Sequence, residues 1–243
     1  MKQPNIARRD LLKGGAAFVV AVSVPTVSSL AGCSSAETSL VARTLDPTQL
    51  DTWLAIGADE TVTAYWGKLD MGQGVDTAIA QIVAEELDVN VDNVNVISAD
   101  SALCADQGGA SGSSGVNRSG PVFRAAAAEA RLVLTEKAAA KLDVAMDDLQ
   151  VDSGVVRMKS DASKSLSYGQ LIADQKFQSP IVWNGEYGNG LSLESRATPK
   201  DPKDYKVVGT SVPRKDVPGK ILASTEFVQD LRIPGMLHGR VVR

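Results

Sequence analysis

Alternating and helical patterns of apolar side chains divide most of the chain into short strands and amphipathic helices. Segments 54–57 and 61–66 flank the acidic turn 58–60 and predict a β-hairpin. Apolar side chains recur at helical spacing over 77–87, and an alanine-rich helix without a breaker is predicted over 122–142. Further predicted elements are a strand at 94–97, a hairpin around Ser153-Gly154 within 149–158, and a helix over 167–174 with Ser167 as its N-cap. This mixture predicts an α+β fold.

Other segments between these elements differ in composition. Residues 105–120 are rich in glycine and serine, which is typical of either a flexible linker or a ligand-binding loop. Residues 34–50 are rich in serine, threonine and alanine and are expected to form a tether. Residues 178–204 are polar and contain Pro180, Pro199 and Pro202, which predicts a linker. The expected organisation is a first domain over 51–177 and a new β-rich unit over 205–243.

The first 33 residues resemble an export signal. Residues 7–13 contain paired arginines followed by two leucines and a lysine, which is similar to the twin-arginine signal. Segment 14–30 is too short and too interrupted for a stable membrane span. Residues 30–33 resemble the bacterial lipobox, whose cysteine is lipidated; alternatively, Cys33 is incidental beside an ordinary cleavage site. We therefore expect twin-arginine export to the periplasm, with a lipid on Cys33 as a membrane anchor.

Composition and charge exclude several classes of function. The net charge is −4 and aromatic residues make up 5% of the chain, so nucleic-acid binding is not expected, because phosphate affinity needs a basic surface. With one histidine, His238, and two cysteines, the chain alone cannot build a zinc site or an iron–sulfur cluster, and no metal ligands are expected. If Cys33 is lipidated, Cys104 has no disulfide partner and is expected to be a small buried residue. A hydrolase is excluded because no nucleophile–base pair and no Gly-x-Ser-x-Gly elbow is present.

Two glycine-containing segments carry the candidate chemistry. In residues 70–74, Gly72 and Gly74 allow the backbone to approach a ligand, and the Gln73 amide offers both donors and acceptors. In residues 113–119, hydroxyl groups and the free N–H groups at the start of the predicted long helix favour an anion such as a phosphate. Each pattern alone is also typical of an ordinary turn or a solvated loop. Neither matches a Walker loop or a dinucleotide fingerprint.

The combination of motifs is more specific than either loop. Residues 71–74, followed by Thr77, Gln81 and residues 84–87, resemble the molybdopterin-binding large subunits of the xanthine dehydrogenase/aldehyde oxidase family. The serine-rich segment resembles the second cofactor loop of that family. Further motifs resemble the beginning of its α/β hammerhead domain: Val208-Gly209, residues 213–220, Phe227, Asp230 and residues 233–243. The order of these segments, together with the export signal, is similar to that of the isoquinoline 1-oxidoreductase β-subunits.

This resemblance implies a molybdenum hydroxylase. It implies that molybdenum–molybdopterin, in its cytosine dinucleotide form, is contacted by two sets of residues: Gly72, Gln73 and Gly74, and Ser113, Ser114, Gly115 and Val116. Members of the family hydroxylate their substrates with oxygen from water, and both aldehydes and N-heteroaromatic compounds are open as substrates here. Electrons are expected to pass to a small iron–sulfur (2Fe-2S) subunit, with a cytochrome c as a further acceptor. The implied fold is a partial molybdopterin-binding domain followed by the start of an α/β hammerhead domain.

The carboxylates of the chain are not expected to be catalytic. The resemblance places the family's catalytic glutamate beyond the end of the chain, so we expect a fragment or truncated product that is inactive alone and binds little cofactor. Glu85 and Glu86 are predicted to be structural or solvated, and Asp70 is predicted to cap its loop. Arg118 is expected at the surface, and His238 in an apolar strand. The alternative is a lipid-anchored periplasmic binding or scaffold module without catalytic activity.

Overall fold

The computed structural model describes residues 45–172 and 176–242. The candidate export signal, the lipidation candidate Cys33 and most of the predicted tether lie outside these residues. Within the described part of the chain, no helix has both the length and the hydropathy required to cross a bilayer. The last residues of the predicted tether belong to the folded body, since Leu50 is fully buried and Gln49 forms a β-bridge with Pro180.

The first sheet contains the predicted N-terminal hairpin. Strands β1 (Leu54–Ile56) and β2 (Val62–Trp66) pair in an antiparallel manner, which confirms that prediction. Strand β3 (Val94–Ser98) pairs in parallel with β2, so the strand order is β1-β2-β3. Side chains along β2 alternate between buried and half-buried, because successive residues of a strand point to opposite faces. The buried side chains of β2 therefore belong to the core that the helices complete.

The two long helices lie side by side and point in the same direction. Helix α1 (Val75–Leu87) confirms the predicted amphipathic helix, and helix α2 (Ser114–Leu142) is the alanine-rich one. A Cβ added at Gly115 would lie 3.2 Å from Val75, and one at Gly120 would lie 3.3 Å from Ile82. Because these contacts advance along both helices together, the two N-termini lie at the same end of the pair.

Helix α2 begins at Ser114 rather than at the predicted Val122. Glycine and serine are poor helix formers, which favours a loop in any local reading of this segment. Tertiary packing outweighs that preference, because small residues allow α2 to approach α1 closely and because Trp66 Nε1 donates to Ser119 Oγ at 3.0 Å. Pro121 lies inside the helix on its exposed side. The serine-rich segment is therefore mostly the first two turns of a helix.

A second sheet confirms the other predicted hairpin. Strands β4 (Leu149–Asp152) and β5 (Val155–Met158) are joined by Ser153-Gly154, and both turn residues have positive φ, as a type I′ turn requires. Strand β6 (Ser165–Ser167) pairs with β5 and leads into helix α3 (Tyr168–Ile172). Ser167 caps α3 as predicted, because its Oγ accepts from Gln170 N at 3.3 Å.

The segment predicted to be a linker, residues 178–204, packs on the body instead. It contains the short paired strands β7 (Val182–Trp183) and β8 (Leu193–Glu194), and Ile181 and Leu191 are buried. The buried Glu129 carboxylate of α2 accepts bonds from the Arg196 backbone N at 2.8 Å and from its Nε at 2.7 Å. Prolines and polar residues are common in linkers, but here Pro180 takes part in the β-bridge with Gln49 and Pro202 begins a 3-10 helix.

Residues 205–242, where the sequence predicts the start of a β-rich unit, form no β-strand in the described structure. They contain the short helix α4 (Val217–Ile221) and a 3-10 turn at Val228–Asp230. His238 is exposed and lies outside regular structure, which differs from the predicted position in an apolar strand. An extended segment becomes a strand only when a neighbouring strand accepts its backbone hydrogen bonds, and none is present beside these residues in the described chain.

Candidate functional site

The Gly-Gln-Gly loop (residues 70–74) is organised by Asp70. The Asp70 carboxylate accepts backbone N–H bonds from Gly72 at 2.7 Å, from Gly74 at 3.2 Å and from Asp76 at 3.1 Å. Burial by itself raises the pKa of Asp70, but these N–H groups and that of Val75 together lower the pKa below its usual value. The prediction that Asp70 caps this loop is confirmed. The N-terminus of α1 is therefore already neutralised by a carboxylate from the protein itself.

Gln73 lies exposed at the tip of the same loop. Its Oε1 accepts from Met71 N at 2.7 Å, while its Nε2 makes no hydrogen bond within the described residues. Gly72 has a φ of 102° and Gly74 a φ of 80°, a region that residues with a Cβ rarely adopt. The glycines on both sides of Gln73 are therefore needed for this backbone path, and the amide donors of Gln73 stay available to a ligand.

The N-terminus of α2 differs because no side chain caps it. Its N-cap residue Ser113 has a φ of 57° and makes no side-chain capping bond within the described structure. Ser114 is buried, and its Oγ donates to the Gly109 carbonyl oxygen at 2.8 Å. Gly115 is buried against Val75, whereas Ser113 and Val116 are exposed. Of the second predicted set, only Ser113 and Val116 expose side chains, and the Ser114 backbone N already donates to the Ser111 carbonyl oxygen of the preceding 3-10 turn.

The two candidate segments meet in space. The first turns of α1 and α2 touch through Val75 and Gly115. A cavity of about 760 Å³ is lined by residues that precede each candidate segment and by Met71, but by none of the seven predicted cofactor-contact residues. Residues 67–69 and Met71 line one side of this cavity, and residues 108–111 line the other. A volume of this size is typical of small-molecule sites. The structure thus places Val75, which directly follows the first candidate segment, against Gly115 of the second.

Lys68 is a further residue of this region that sequence reasoning missed. Its side chain is almost fully buried, and its Nζ donates to the Gly109 carbonyl oxygen at 3.0 Å and to Asn189 Oδ1. Burial lowers the pKa of Lys68, the Asp106 carboxylate opposes that shift, and Arg118 adds to it. A buried lysine directly before the loop is an unusual feature, but the sequence gives no sign of its distant partners. Lys68 and the exposed Arg118 contribute positive charge near the N-terminus of α2, which lacks a side-chain cap in the described structure.

The segment 213–216 also reaches the first loop. Arg214 Nη2 donates to the Gly72 carbonyl oxygen at 3.0 Å, and the Lys215 backbone N donates to Thr77 Oγ1 at 3.4 Å. From the sequence, these residues were expected at the start of another domain. The structure places them against the candidate cofactor loop, which a local reading of the sequence could not show.

Glu85 and Glu86 of α1 are structural. Glu85 is buried, and its Oε2 accepts from the backbone N atoms of residues 206–208 at 2.9, 2.6 and 3.0 Å. Glu86 is buried and accepts from Arg124 Nε at 3.2 Å and from Lys200 N at 3.0 Å. Of the two predicted roles, structural or solvated, their contacts fit the structural one, because they hold later segments on the helix pair. Cys104 is buried as predicted, and its Sγ donates to the Ile97 carbonyl oxygen at 3.4 Å.

Among the titratable groups beside the Gly-Gln-Gly loop, Asp76 has the largest upward pKa shift. Burial, reinforced by the Asp70 charge, raises the pKa of Asp76 to about 6. Its Oδ1 is buried without a hydrogen-bond partner among the described residues. Carboxylates of this kind destabilise the folded state near neutral pH, because the charged form is poorly solvated.

Comparison with known proteins tests the resemblance. Residues 20–214 match the molybdopterin cofactor-binding domain family. The chain is 36% identical over 207 residues to one subunit of the nicotinate dehydrogenase of Pseudomonas putida, which covers 84% of this chain and 16% of that protein. It is 27% identical over an alignment of 271 residues to the beta subunit of isoquinoline 1-oxidoreductase from Brevundimonas diminuta, which covers 98% of this chain and 33% of that protein.

Among solved structures, quinoline 2-oxidoreductase from Pseudomonas putida aligns with 49% of this chain and 15% of its own, at 22% identity and a TM-score of 0.41. The chain spans between 16% and 33% of the length of the two curated relatives described above. The family match runs through the body of the chain and through the segment predicted to be a linker. The resemblance drawn from the sequence motifs is confirmed: the chain belongs to the molybdopterin cofactor-binding domain family, within the xanthine dehydrogenase/aldehyde oxidase group of molybdopterin oxidoreductases.

Proposed function

We propose that the Gly-Gln-Gly loop and the first turn of α2 together hold the molybdopterin cofactor. The observation that carries this proposal is the difference between two adjacent helix N-termini. The N-terminus of α1 is occupied by Asp70, whereas that of α2 has no side-chain cap in the described structure. The first N–H groups of a helix have no partner within the helix and attract anions. At α2 the Ser114 N–H donates to the Ser111 carbonyl oxygen of the preceding 3-10 turn, so the phosphate of the cofactor belongs at the N–H groups that follow Ser114.

The residues present fit such a group. Gln73 Nε2 and the N–H groups of the first turn of α2 are donors, and Ser113 adds an exposed hydroxyl. Gly72, Gly74 and Gly115 allow the backbone to come close, while Val116 offers an apolar contact. Ser114 contributes indirectly, because its Oγ donates to the Gly109 carbonyl oxygen of the preceding segment. These groups bind the organic part of the cofactor and do not ligate the metal.

We infer that the whole protein is an oxidoreductase that hydroxylates aldehydes or N-heteroaromatic compounds. When bound, the cofactor supplies a molybdenum centre that accepts the electrons removed from the substrate. The family match and the relatives named for nicotinate and isoquinoline support this reading, and they favour N-heteroaromatic substrates. In the same proposal the cofactor is the cytosine dinucleotide form, a small iron–sulfur (2Fe-2S) subunit receives the electrons, and a cytochrome c accepts them afterwards.

We also propose twin-arginine export to the periplasm and a lipid anchor on Cys33. Both rest on the sequence of residues 7–33. The intact mass of the mature protein from its native host tests them together. A chain that begins at Cys33 and carries a diacylglycerol would support the anchor, whereas an unmodified cysteine or an uncleaved N-terminus would contradict it.

The cofactor site is tested by adding the cap that α2 lacks. Ser113→Asp places a carboxylate at the helix N-terminus, where it competes with an anionic ligand, and Ser113→Asn is the neutral control of the same shape. We expect Ser113→Asp in the full-length protein to lower the molybdenum and pterin content while the melting temperature stays equal or rises. Gln73→Ala should lower both contents as well.

Equal molybdenum content in both Ser113 variants would contradict the placement of the phosphate. If the protein without substitutions contains neither molybdenum nor pterin, cofactor binding itself is contradicted. That result would favour the alternative function, which is a lipid-anchored binding or scaffold module without catalytic activity.

A further inference from the structure

Arg214 is held in one orientation beside the Gly-Gln-Gly loop. Its Nε donates to Asp216 Oδ1 at 3.0 Å and its Nη2 donates to Asp216 Oδ2 at 2.7 Å, which is a bidentate ion pair. The same Nη2 donates to the Gly72 carbonyl oxygen at 3.0 Å. The guanidinium is planar and rigid, so fixing two of its nitrogens on Asp216 also fixes the direction of the third bond.

The shape of the loop is matched to this arginine. A Cβ added at Gly74 would lie 2.7 Å from Arg214 Nε and 3.1 Å from its Cδ. Gly74 therefore serves two purposes, because it adopts a positive φ and leaves space for the guanidinium. The Arg214 side chain and the loop backbone lie in direct contact over this stretch.

The contact has a consequence for the neighbouring peptide. In a trans peptide the carbonyl oxygen of one residue and the N–H of the next point in opposite directions. When Arg214 holds the Gly72 carbonyl, the Gln73 N–H is directed away from the guanidinium. The loop N–H groups of Met71, Gly72 and Gly74 are bonded within the loop. Within the described residues neither the Gln73 N–H nor that of Asp70, at the start of the loop, has such an acceptor, so the Gln73 N–H remains available to a ligand.

The segment that carries Arg214 is itself anchored. Lys215 Nζ donates to the Val91 carbonyl oxygen at 2.9 Å and to that of Val94, at the start of β3. Lys220 pairs with the same Asp216 carboxylate. Arg214 is thus attached to the sheet through Lys215 on one side and to α4 through Asp216 on the other.

We propose that Arg214 is a positioning residue for cofactor binding, which sets the Gly72–Gln73 peptide so that both Gln73 donors face the cofactor. Asp216 acts through Arg214 by orienting its guanidinium. This inference rests on the proposed function, since it concerns the loop assigned there to molybdopterin. It predicts that the two residues are coupled: once Arg214 is removed, Asp216 no longer matters to the cofactor.

The test uses the full-length protein with substitutions at Arg214 and Asp216, and it measures molybdenum and pterin per chain under limiting molybdate. We expect Arg214→Ala to lower both by about tenfold or more, the effect of losing one charge-assisted hydrogen bond. Asp216→Asn should lower both in the same direction. The double variant should be no lower than Arg214→Ala alone, because coupled residues are not additive. Arg214→Lys keeps the charge and should recover part of the loss.

Hydrogen exchange gives a second readout that does not depend on activity. In the cofactor-loaded protein the Gln73 amide should exchange faster in Arg214→Ala than in the parent protein, because in the parent its N–H is directed at the cofactor and donates to it. Arg232→Ala is the matched control, since Arg232 is exposed and bonds only to the nearby carbonyl oxygens of Gln229 and Leu231 in the described structure. This control should change neither the metal content nor the exchange at Gln73.

The outcomes separate this inference from the function on which it rests. If the parent protein carries no molybdenum and no pterin, the proposed function fails and this inference fails with it. If the parent is loaded and Arg214→Ala is loaded equally, the positioning role alone is refuted. Additive losses at Arg214 and Asp216 would also refute it. Should Arg214→Ala not fold, Arg214→Lys decides, because unchanged loading and unchanged Gln73 exchange on losing the bidentate pair would refute the role.

Discussion

Asp70→Ala removes the carboxylate that holds the Gly-Gln-Gly loop and the first turn of α1. In the folded protein this carboxylate accepts one exposed N–H bond, from Gly72, and two half-buried bonds, from Gly74 and Asp76. After the substitution, water can replace the exposed bond at little cost. The two half-buried N–H groups lose a charged acceptor that water replaces less well.

The expected loss of stability follows from these two bonds. At about 1 kcal/mol for each half-buried bond, the free energy of unfolding should fall by about 2 kcal/mol, which is the upper part of the range for lost N-caps. For a folded unit of this size such a loss lowers the melting temperature by roughly 4–8 °C. Asp70→Asn should cost less, because the amide oxygen still accepts but carries no charge.

The pH dependence has a defined sign. The folded-state pKa of Asp70 is below its usual value of 3.8, so its contribution is present above pH 3.8 and disappears as the pH falls through the folded-state pKa. The difference in stability between the parent protein and Asp70→Ala should therefore be constant from neutral pH down to about pH 5 and shrink below pH 3.8.

Chemical denaturation at several pH values measures both effects. Asp161→Ala is the matched control, because Asp161 accepts similar bonds from Ser163 in an exposed loop away from any long helix. This control should lose less than about 0.5 kcal/mol. If Asp70→Ala loses no more than the control, or if its loss grows as the pH falls, the assignment of Asp70 as the cap of α1 is refuted.

Three other predictions concern stability. Asp76→Asn should stabilise the protein by about 1 kcal/mol above pH 6 and by nothing near pH 3.8. The reason is that burial raises the pKa of Asp76 to about 6, so the unfavourable charge is present only above that pH; thermal melts at both pH values check this. Gly67→Ala should lower the free energy of unfolding by about 3 kcal/mol, since its Cβ would lie 1.8 Å from the Ala105 carbonyl oxygen. Gly72→Ala should lower it by about 1 kcal/mol, from its positive φ alone. Urea unfolding compares the two variants, and equal losses of stability would contradict the close packing at Gly67. Glu85→Ala should cost about 3 kcal/mol and speed hydrogen exchange in the three residues whose N–H groups it accepts; unchanged exchange there would show that Glu85 does not hold that segment.

Local patterns were sufficient for the elements that depend on neighbouring residues. The hairpin of β1 and β2 follows from period-2 alternation around an acidic turn, and the β4–β5 turn follows from Ser153-Gly154. The capping role of Asp70 is local as well, because its acceptor atoms reach only two to six residues along the chain. In such cases the interacting groups are near one another in any compact conformation.

Where contacts between distant residues oppose local preference, the sequence reading failed. The first turns of α2 contain glycine and serine, which indicate a loop, yet contact with α1 and with Trp66 makes them helical. Residues 178–204 have the composition of a linker, yet Ile181 and Leu191 are buried in the core. The competing free energies come from burial, and burial is a property of the assembled structure.

The candidate site shows the same division. Its motifs, Gly72 to Gly74 and Ser113 to Val116, and the family they indicate, could be determined from the sequence alone, because a cofactor loop needs particular residues at a fixed spacing. The structure decided which of their groups are exposed. It also brought in Lys68, 41 residues from its partner Gly109, and Arg214, 142 residues from Gly72. Such pairings depend on how the helices and sheet pack, since a hydrogen bond forms only when folding brings donor and acceptor within about 3 Å.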